Sequence, residues 1–263
     1  MFALDGSLRY IPMAALYDGT RWLAQKYALS MFNEAAGTTM GTPPSGENRV
    51  AGLGVSKEHK YGRGKFTALP SVKDELKAIV KTGDNPGGLV PGMMTLDEGF
   101  VDKTLQTVLQ QKYPIVHLAS HFHFNPKKPA ESFLLLGDGS GLSLERIATS
   151  DEFKFNSVDL LALSACQTAR GGTDASGKEV EGFGALAQKR GARAVLATLW
   201  PVFDESTGLL MSRIYVQRKE DAKISLAENL RQAQLHLIEN KVPGKNFTHP
   251  YYWAPFVLMG DWR

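Results

Sequence analysis

Short apolar runs alternate with amphipathic segments along this chain of 263 residues. That alternation predicts a largely parallel sheet covered by helices on both faces, an α/β fold. Strands are expected at Arg49–Ser56, Pro114–Ser120, Ser132–Gly137, Val158–Ser164, Ala192–Leu199 and Ala254–Met259. Between the first two, Ser71 and Asp74 form a capping-box pattern ahead of a helix with Val72, Leu76, Ile79 and Val80 on one face. A second helix places Val101, Leu105 and Val108 on one face, and further helices are expected over about Glu181–Arg190, Asp204–Arg218 and Ala222–Asn240. In the last of these, Leu226, Leu230, Ala233 and Leu237 fall at helical spacing. Gly37–Glu47 reads as an internal loop, no repeat with a period of about 20–50 residues is present, and the whole chain reads as one domain.

Two of the apolar runs end in chemically active side chains. Ile115-Val-His-Leu-Ala-Ser-His121-Phe ends in a histidine, and Leu160-Leu-Ala-Leu-Ser-Ala-Cys166-Gln-Thr ends in the only cysteine. Loops at the carboxyl ends of parallel strands carry function, so His121, Cys166 and the segment after Trp200 are expected on one edge. A thiolate nucleophile and an imidazole that protonates a departing amine are the minimum for nucleophilic acyl transfer. The backbone amides of Cys166 and Phe122 are the natural oxyanion donors. Against this stands the plain alternative of a buried, inert cysteine and a core histidine.

Other signals are weaker. His117 and His123 share an odd-numbered face with His121 if the strand continues, but alternate strand positions about 3.3 Å apart per residue are too spread for one metal ion. Gly172-Thr-Asp-Ala-Ser-Gly177-Lys178-Glu179 matches a phosphate loop only up to its last position, where Glu179 replaces the hydroxyl that would hold magnesium. Ser164 lacks the glycines of a nucleophile elbow. No metal or cofactor is therefore expected. Asp204 and Glu205 open a helix, where they stabilise its amino end or recognise a basic side chain at the site's rim. His249-Pro-Tyr-Tyr-Trp253 is assigned to packing of the last strand.

Composition adds limits. With 43% hydrophobic and 22% charged residues the chain can bury a large core. Its net charge of +3 is dispersed, and the densest basic stretch, Lys57 to Lys65, is broken by Glu58 and two glycines, which argues against a nucleic-acid surface. A lone cysteine and an N-terminus without a signal pattern point to the reducing cytosol, and no run approaches the roughly 20 apolar residues of a membrane span.

At the same residues the chain resembles the CHAT family, caspase-like domains related to caspases, metacaspases and separase. The resemblance lies in Leu8-Arg-Tyr-Ile-Pro-Met-Ala-Ala-Leu16, Val116-His-Leu-Ala-Ser-His121, Leu163-Ser-Ala-Cys-Gln-Thr168, Glu181-Gly-Phe-Gly-Ala-Leu186, the stretch from Gly191 to Asp204, and the stretch from His249 to Asp261. It implies a caspase-hemoglobinase fold and peptide-bond hydrolysis through a thioester, with His121 and Cys166 as the catalytic pair and His117 as a strand residue. It also implies recognition of a basic residue before the cleaved bond by Asp204, with Glu205 beside it. The expected partners are a protein or peptide substrate and a regulator built of helical repeats, on an absent segment or another chain. Phe122 stands where the family usually has glycine; it is the feature that favours the alternative, a catalytically weak interaction module.

Overall fold

The computed structural model describes residues 1–41, 43–125, 128–164, 178–200, 202, 204–221 and 223–263; at 129, 178–181 and 204 it describes the backbone alone. Among them the strands are β1 (Phe2–Ala3), β2 (Met31–Phe32), β3 (Val50–Gly54), β4 (His59–Tyr61), β5 (Gly64–Phe66), β6 (Val80–Lys81), β7 (Val90–Leu96), β8 (Ile115–Ala119), β9 (Phe122–His123), β10 (Phe133–Leu135), β11 (Gly141–Ser143), β12 (Leu160–Ser164), β13 (Ala194–Thr198) and β14 (Phe256–Gly260). The helices are α1 (Leu23–Lys26), α2 (Ser71–Ile79), α3 (Asp102–Gln110), α4 (Leu144–Thr149), α5 (Lys178–Lys189), α6 (Asp204–Glu220), α7 (Leu226–Ile238) and α8 (Pro250–Trp253).

Nine strands form the central sheet in the order β1-β2-β14-β13-β12-β8-β3-β7-β6. Every pairing in it is parallel except β13 with β14. The period-2 alternation of each strand splits the core in two. Val116, Leu118, Leu161, Leu163 and Val195 face α3, α4 and α5, while Ile115, Leu160, Ala194, Leu196 and Leu258 face α6 and α7. Both faces of the central strands are buried, so these strands read as unbroken apolar runs.

Two features differ from the sequence expectation. Ser132–Gly137 supplies β10, which lies outside the central sheet, in an antiparallel sheet of order β11-β10-β9. Strand β7 takes its place beside β3. Its Pro91 and Gly92 resemble loop punctuation, yet Pro91 sits in the two-residue pairing with β6, and Gly92 is required because a Cβ there would lie 1.8 Å from the Val50 carbonyl oxygen. Smaller shifts concern helix ends. Pro70, with no side-chain cap, precedes α2, so Ser71 is its first residue, and Val80 leaves the helix face to begin β6. Ser225 caps α7 by accepting from the Glu228 amide.

No described helix is long and apolar enough to cross a membrane.

The close approach at Gly92 yields a direct test. Gly92→Ala is expected to lower stability by about 2 kcal/mol or more through overpacking, whereas Gly83→Ala, with nothing within 4 Å of the new Cβ, changes the thermal midpoint little. Equal midpoints for the two variants would contradict the β3–β7 pairing.

Candidate active site

Strands β8 and β12 pair in parallel with Ile115 opposite Leu160 and Ala119 opposite Ser164. Both therefore end together on one edge of the sheet, and β3 ends there too, with Gly54 opposite Ala119. The chain leaves β8 at Ser120, whose buried hydroxyl donates to the Leu135 carbonyl. His121 follows, fully buried. Its carbonyl accepts from the Leu135 amide at 2.9 Å, so main chain and neighbouring side chain are both tied to β10.

The imidazole of His121 is set by the loop after β3. Its Nε2 lies 2.8 Å from the Thr67 carbonyl oxygen, to which only an N–H can be donated. That bond selects the tautomer and leaves Nδ1 as the basic nitrogen. Phe66 stands beside the ring, with centroids 5.4 Å apart. The sequence offered no sign of Thr67, because a backbone carbonyl carries no side-chain signature.

The loop that presents Thr67 is itself pinned. Asp97, at a positive φ of 48°, accepts from the Ser56 amide at 2.7 Å and the Lys57 amide at 3.2 Å, and its second oxygen accepts from the Ser56 hydroxyl at 2.8 Å. Burial pushes this carboxyl up, but the Ser56 and Lys57 donors outweigh it and hold it below its ordinary range.

The three histidines of the run do not converge. His117 is enclosed between Glu75 and Tyr215, with 2.9 Å to Glu75 Oε1 and 3.0 Å to the Tyr215 hydroxyl. His123 stacks on Phe133 at 5.1 Å. The break at Ser120 and His121 turns the chain from β8 into the separate sheet, so the shared odd-numbered face does not extend past β8. Among the described residues no three His, Cys, Asp or Glu side chains are grouped to hold a metal.

Phe122 is buried, and its ring stacks on Phe183 at 5.6 Å and near Phe124 at 6.4 Å. A Cβ on Gly182 would come within 3.7 Å of that ring. The side chain thus points into the core beside α5. Its bulk is accommodated beside Gly182 and Phe183.

Cys166, its amide, and the glycine-rich stretch through Gly177 lie outside the described residues. Asp204 is the first residue of α6, and its side chain lies outside the description as well. Glu205 is partly exposed and pairs with Lys245 at 2.8 Å. A groove of about 840 Å3 runs between the β4–β5 hairpin and the β9–β10 pair, lined by Tyr61, Arg63, Phe66, His123 and Phe133. Phe66 belongs to both, lining the groove while its ring contacts that of His121.

A CHAT domain family model matches residues 1–261, almost the whole chain. The chain belongs to the CHAT domain family. No curated protein matches this CHAT domain. Among solved structures it is similar to the Arg-specific cysteine proteinase gingipain R (RgpB), with 9% identity, a TM-score of 0.46, and coverage of 81% of this chain and 46% of that one. It is similar also to the complex of Porphyromonas gingivalis RgpB pro- and mature domains, with 8% identity, a TM-score of 0.48, and coverage of 82% and 47%. The CHAT domain thus spans about half the length of those two chains.

The Asp97 anchor carries a pH signature. A carboxyl held below its ordinary value of 3.8 in the folded chain contributes its full stability above that value and loses it as pH falls through the folded one. Asp97→Asn is expected to cost about 1–2 kcal/mol at pH 7. In urea melts that difference should shrink below about pH 4; a difference that stays constant into acid would contradict the anchor.

Proposed function

We propose that this CHAT domain is a caspase-like cysteine endopeptidase that uses Cys166 as nucleophile and His121 as proton-transfer partner. The observation that carries the reading is His121 itself. It is buried just past the end of β8, its tautomer is set by the Thr67 carbonyl, and Cys166 follows in sequence two residues after Ser164, the last residue of the strand paired with β8. Family membership supports the same assignment.

In this reading the Cys166 proton passes to His121 Nδ1, and the thiolate forms a bond to the scissile carbonyl carbon while the carbonyl electron pair moves to oxygen. The amides of Cys166 and Phe122 donate to that oxyanion. The C–N bond then breaks, His121 returns its proton to the departing amine, and a thioester remains. Water attacks the thioester, losing a proton to His121, and the acid and the free thiol are released. The groove of about 840 Å3 beside Phe66 is where the peptide would bind in this reading.

Asp204, at the head of α6, recognises an Arg or Lys before the cleaved bond by charge-assisted hydrogen bonding. Glu205 is the lesser contributor because Lys245 already engages it. The enzyme acts in the cytosol under control of a partner or segment of helical repeats. The catalytically weak interaction module is the lesser reading, since the Phe122 ring that favoured it packs into the core.

Mass-spectrometric mapping of cleavage sites in peptide libraries tests the proposal. Wild type is expected to cut after Arg or Lys, Cys166→Ala and His121→Ala to lose at least about a hundredfold in rate, and Asp204→Ala to lose the basic preference while staying folded. Cleavage that survives Cys166→Ala would overturn the nucleophile, and a basic preference that survives Asp204→Ala would overturn the pocket.

A further inference from the structure

Beneath the site lies a buried polar cluster that the proposed reaction does not use. Glu75, on α2, has a side chain only 1% exposed. Its Oε1 accepts from His117 Nε2 at 2.9 Å, and its Oε2 accepts from the Ser164 hydroxyl at 3.0 Å. His117 Nδ1 lies 3.0 Å from the hydroxyl of Tyr215 on α6. Burial first, and the nearby Glu75 charge second, push the Tyr215 phenol up, so it stays an O–H that can donate to His117 Nδ1. All four residues are buried.

A carboxylate in a core is costly unless its oxygens are satisfied, and an apolar side chain of similar size would be no less stable there. Directional hydrogen bonds do what apolar packing does not: they allow a narrow range of relative positions. Here the bonds join four elements that meet on one face of the sheet. His117 lies in the strand that ends just before His121, Ser164 is the last residue of its strand and stands two positions before Cys166 in sequence, and Tyr215 belongs to the helix that begins with Asp204. The helix α2 that carries Glu75 lies against β3 at Gly54, where a Cβ would meet Val72 at 2.6 Å and Leu76 at 2.7 Å. Glu75 also occupies the apolar stripe of α2, beside Val72, Leu76 and Ile79.

We propose that Glu75 is a positioning residue, which by holding His117 and Ser164 at once sets the strand ends that carry His121 and Cys166 in register for reaction. This inference rests on the peptidase reading above. Small misplacements of reacting groups cost rate more than binding, so the expected signature is a fall in kcat at nearly constant KM.

The test compares Ser164→Ala, Glu75→Leu and Glu75→Gln with wild type in the full chain. Circular dichroism and thermal melts confirm folding, and Ser164→Ala, which removes a single oxygen, keeps the test available should Glu75→Leu fail to fold. On a cleaved peptide, Ser164→Ala and Glu75→Leu are expected to lower kcat about tenfold or more, with KM within about twofold. Glu75→Gln should recover most of the loss, because its amide oxygen can accept from His117 while its NH2 donates to Ser164. A second readout needs no turnover: iodoacetamide alkylation of Cys166, the chain's only cysteine, followed against pH. Wild type is expected to react below the ordinary thiol range of about 8.5, and the profile should move toward that range in Ser164→Ala and Glu75→Leu.

Folded variants with wild-type kcat and wild-type alkylation profiles would overturn the positioning role alone. A wild-type chain that cuts nothing and alkylates as an ordinary thiol would overturn the Cys166 and His121 reading, and this inference with it.

Discussion

The in-register parallel pairing of Ile115–Ala119 with Leu160–Ser164 is the constraint on which the rest depends. It brings two sequence-distant apolar runs to the same edge of the sheet at the same level. A shift of one residue would reverse the face of every side chain in the run, moving His117 and Ser164 away from α2 and α6. The apolar residues on either side of the sheet enforce the register, because Val116, Leu118, Leu161 and Leu163 fill one core and Ile115 and Leu160 the other.

Within that frame the two strands place buried polar groups of defined geometry. The same short run holds two histidines with opposite fates. His117 is inside a strand and faces the α2 and α6 layer, where Glu75 and Tyr215 satisfy both ring nitrogens. His121 falls after the strand has ended, where the loop beyond β3 supplies the Thr67 carbonyl. The difference comes from where the strand stops and not from residue type. The histidine beyond the strand end has a loop carbonyl at Nε2, whereas the histidine within it is sealed by ring, carboxylate and phenol.

Much of this was legible in the sequence. Five of the central strands follow directly from unbroken apolar runs, since burial on both faces leaves that mark. Strand β7 was not legible, because Pro91, in the pairing with β6, and Gly92, needed for the close approach to β3, imitate a loop. Strand β10 was visible as a strand, but periodicity carries no information about which sheet a strand joins. At the site, His121 and Cys166 stood out by residue type at strand ends. Thr67 acts through its backbone and could not be seen. Glu75 could have been: a carboxylate between Val72 and Leu76 on an otherwise apolar helix stripe needs a buried partner.

The central claim is that Cys166 and His121 work as one nucleophilic pair at the edge where β8 and β12 end. Intact-mass and peptide mapping after treatment with an arginine-bearing peptidyl chloromethyl ketone measures this most directly. The account predicts a single covalent adduct on Cys166 that forms in wild type and is strongly slowed in His121→Ala, with the same reagent bearing a neutral residue reacting poorly. An adduct that forms equally fast in His121→Ala, or labelling elsewhere in the chain, would contradict it.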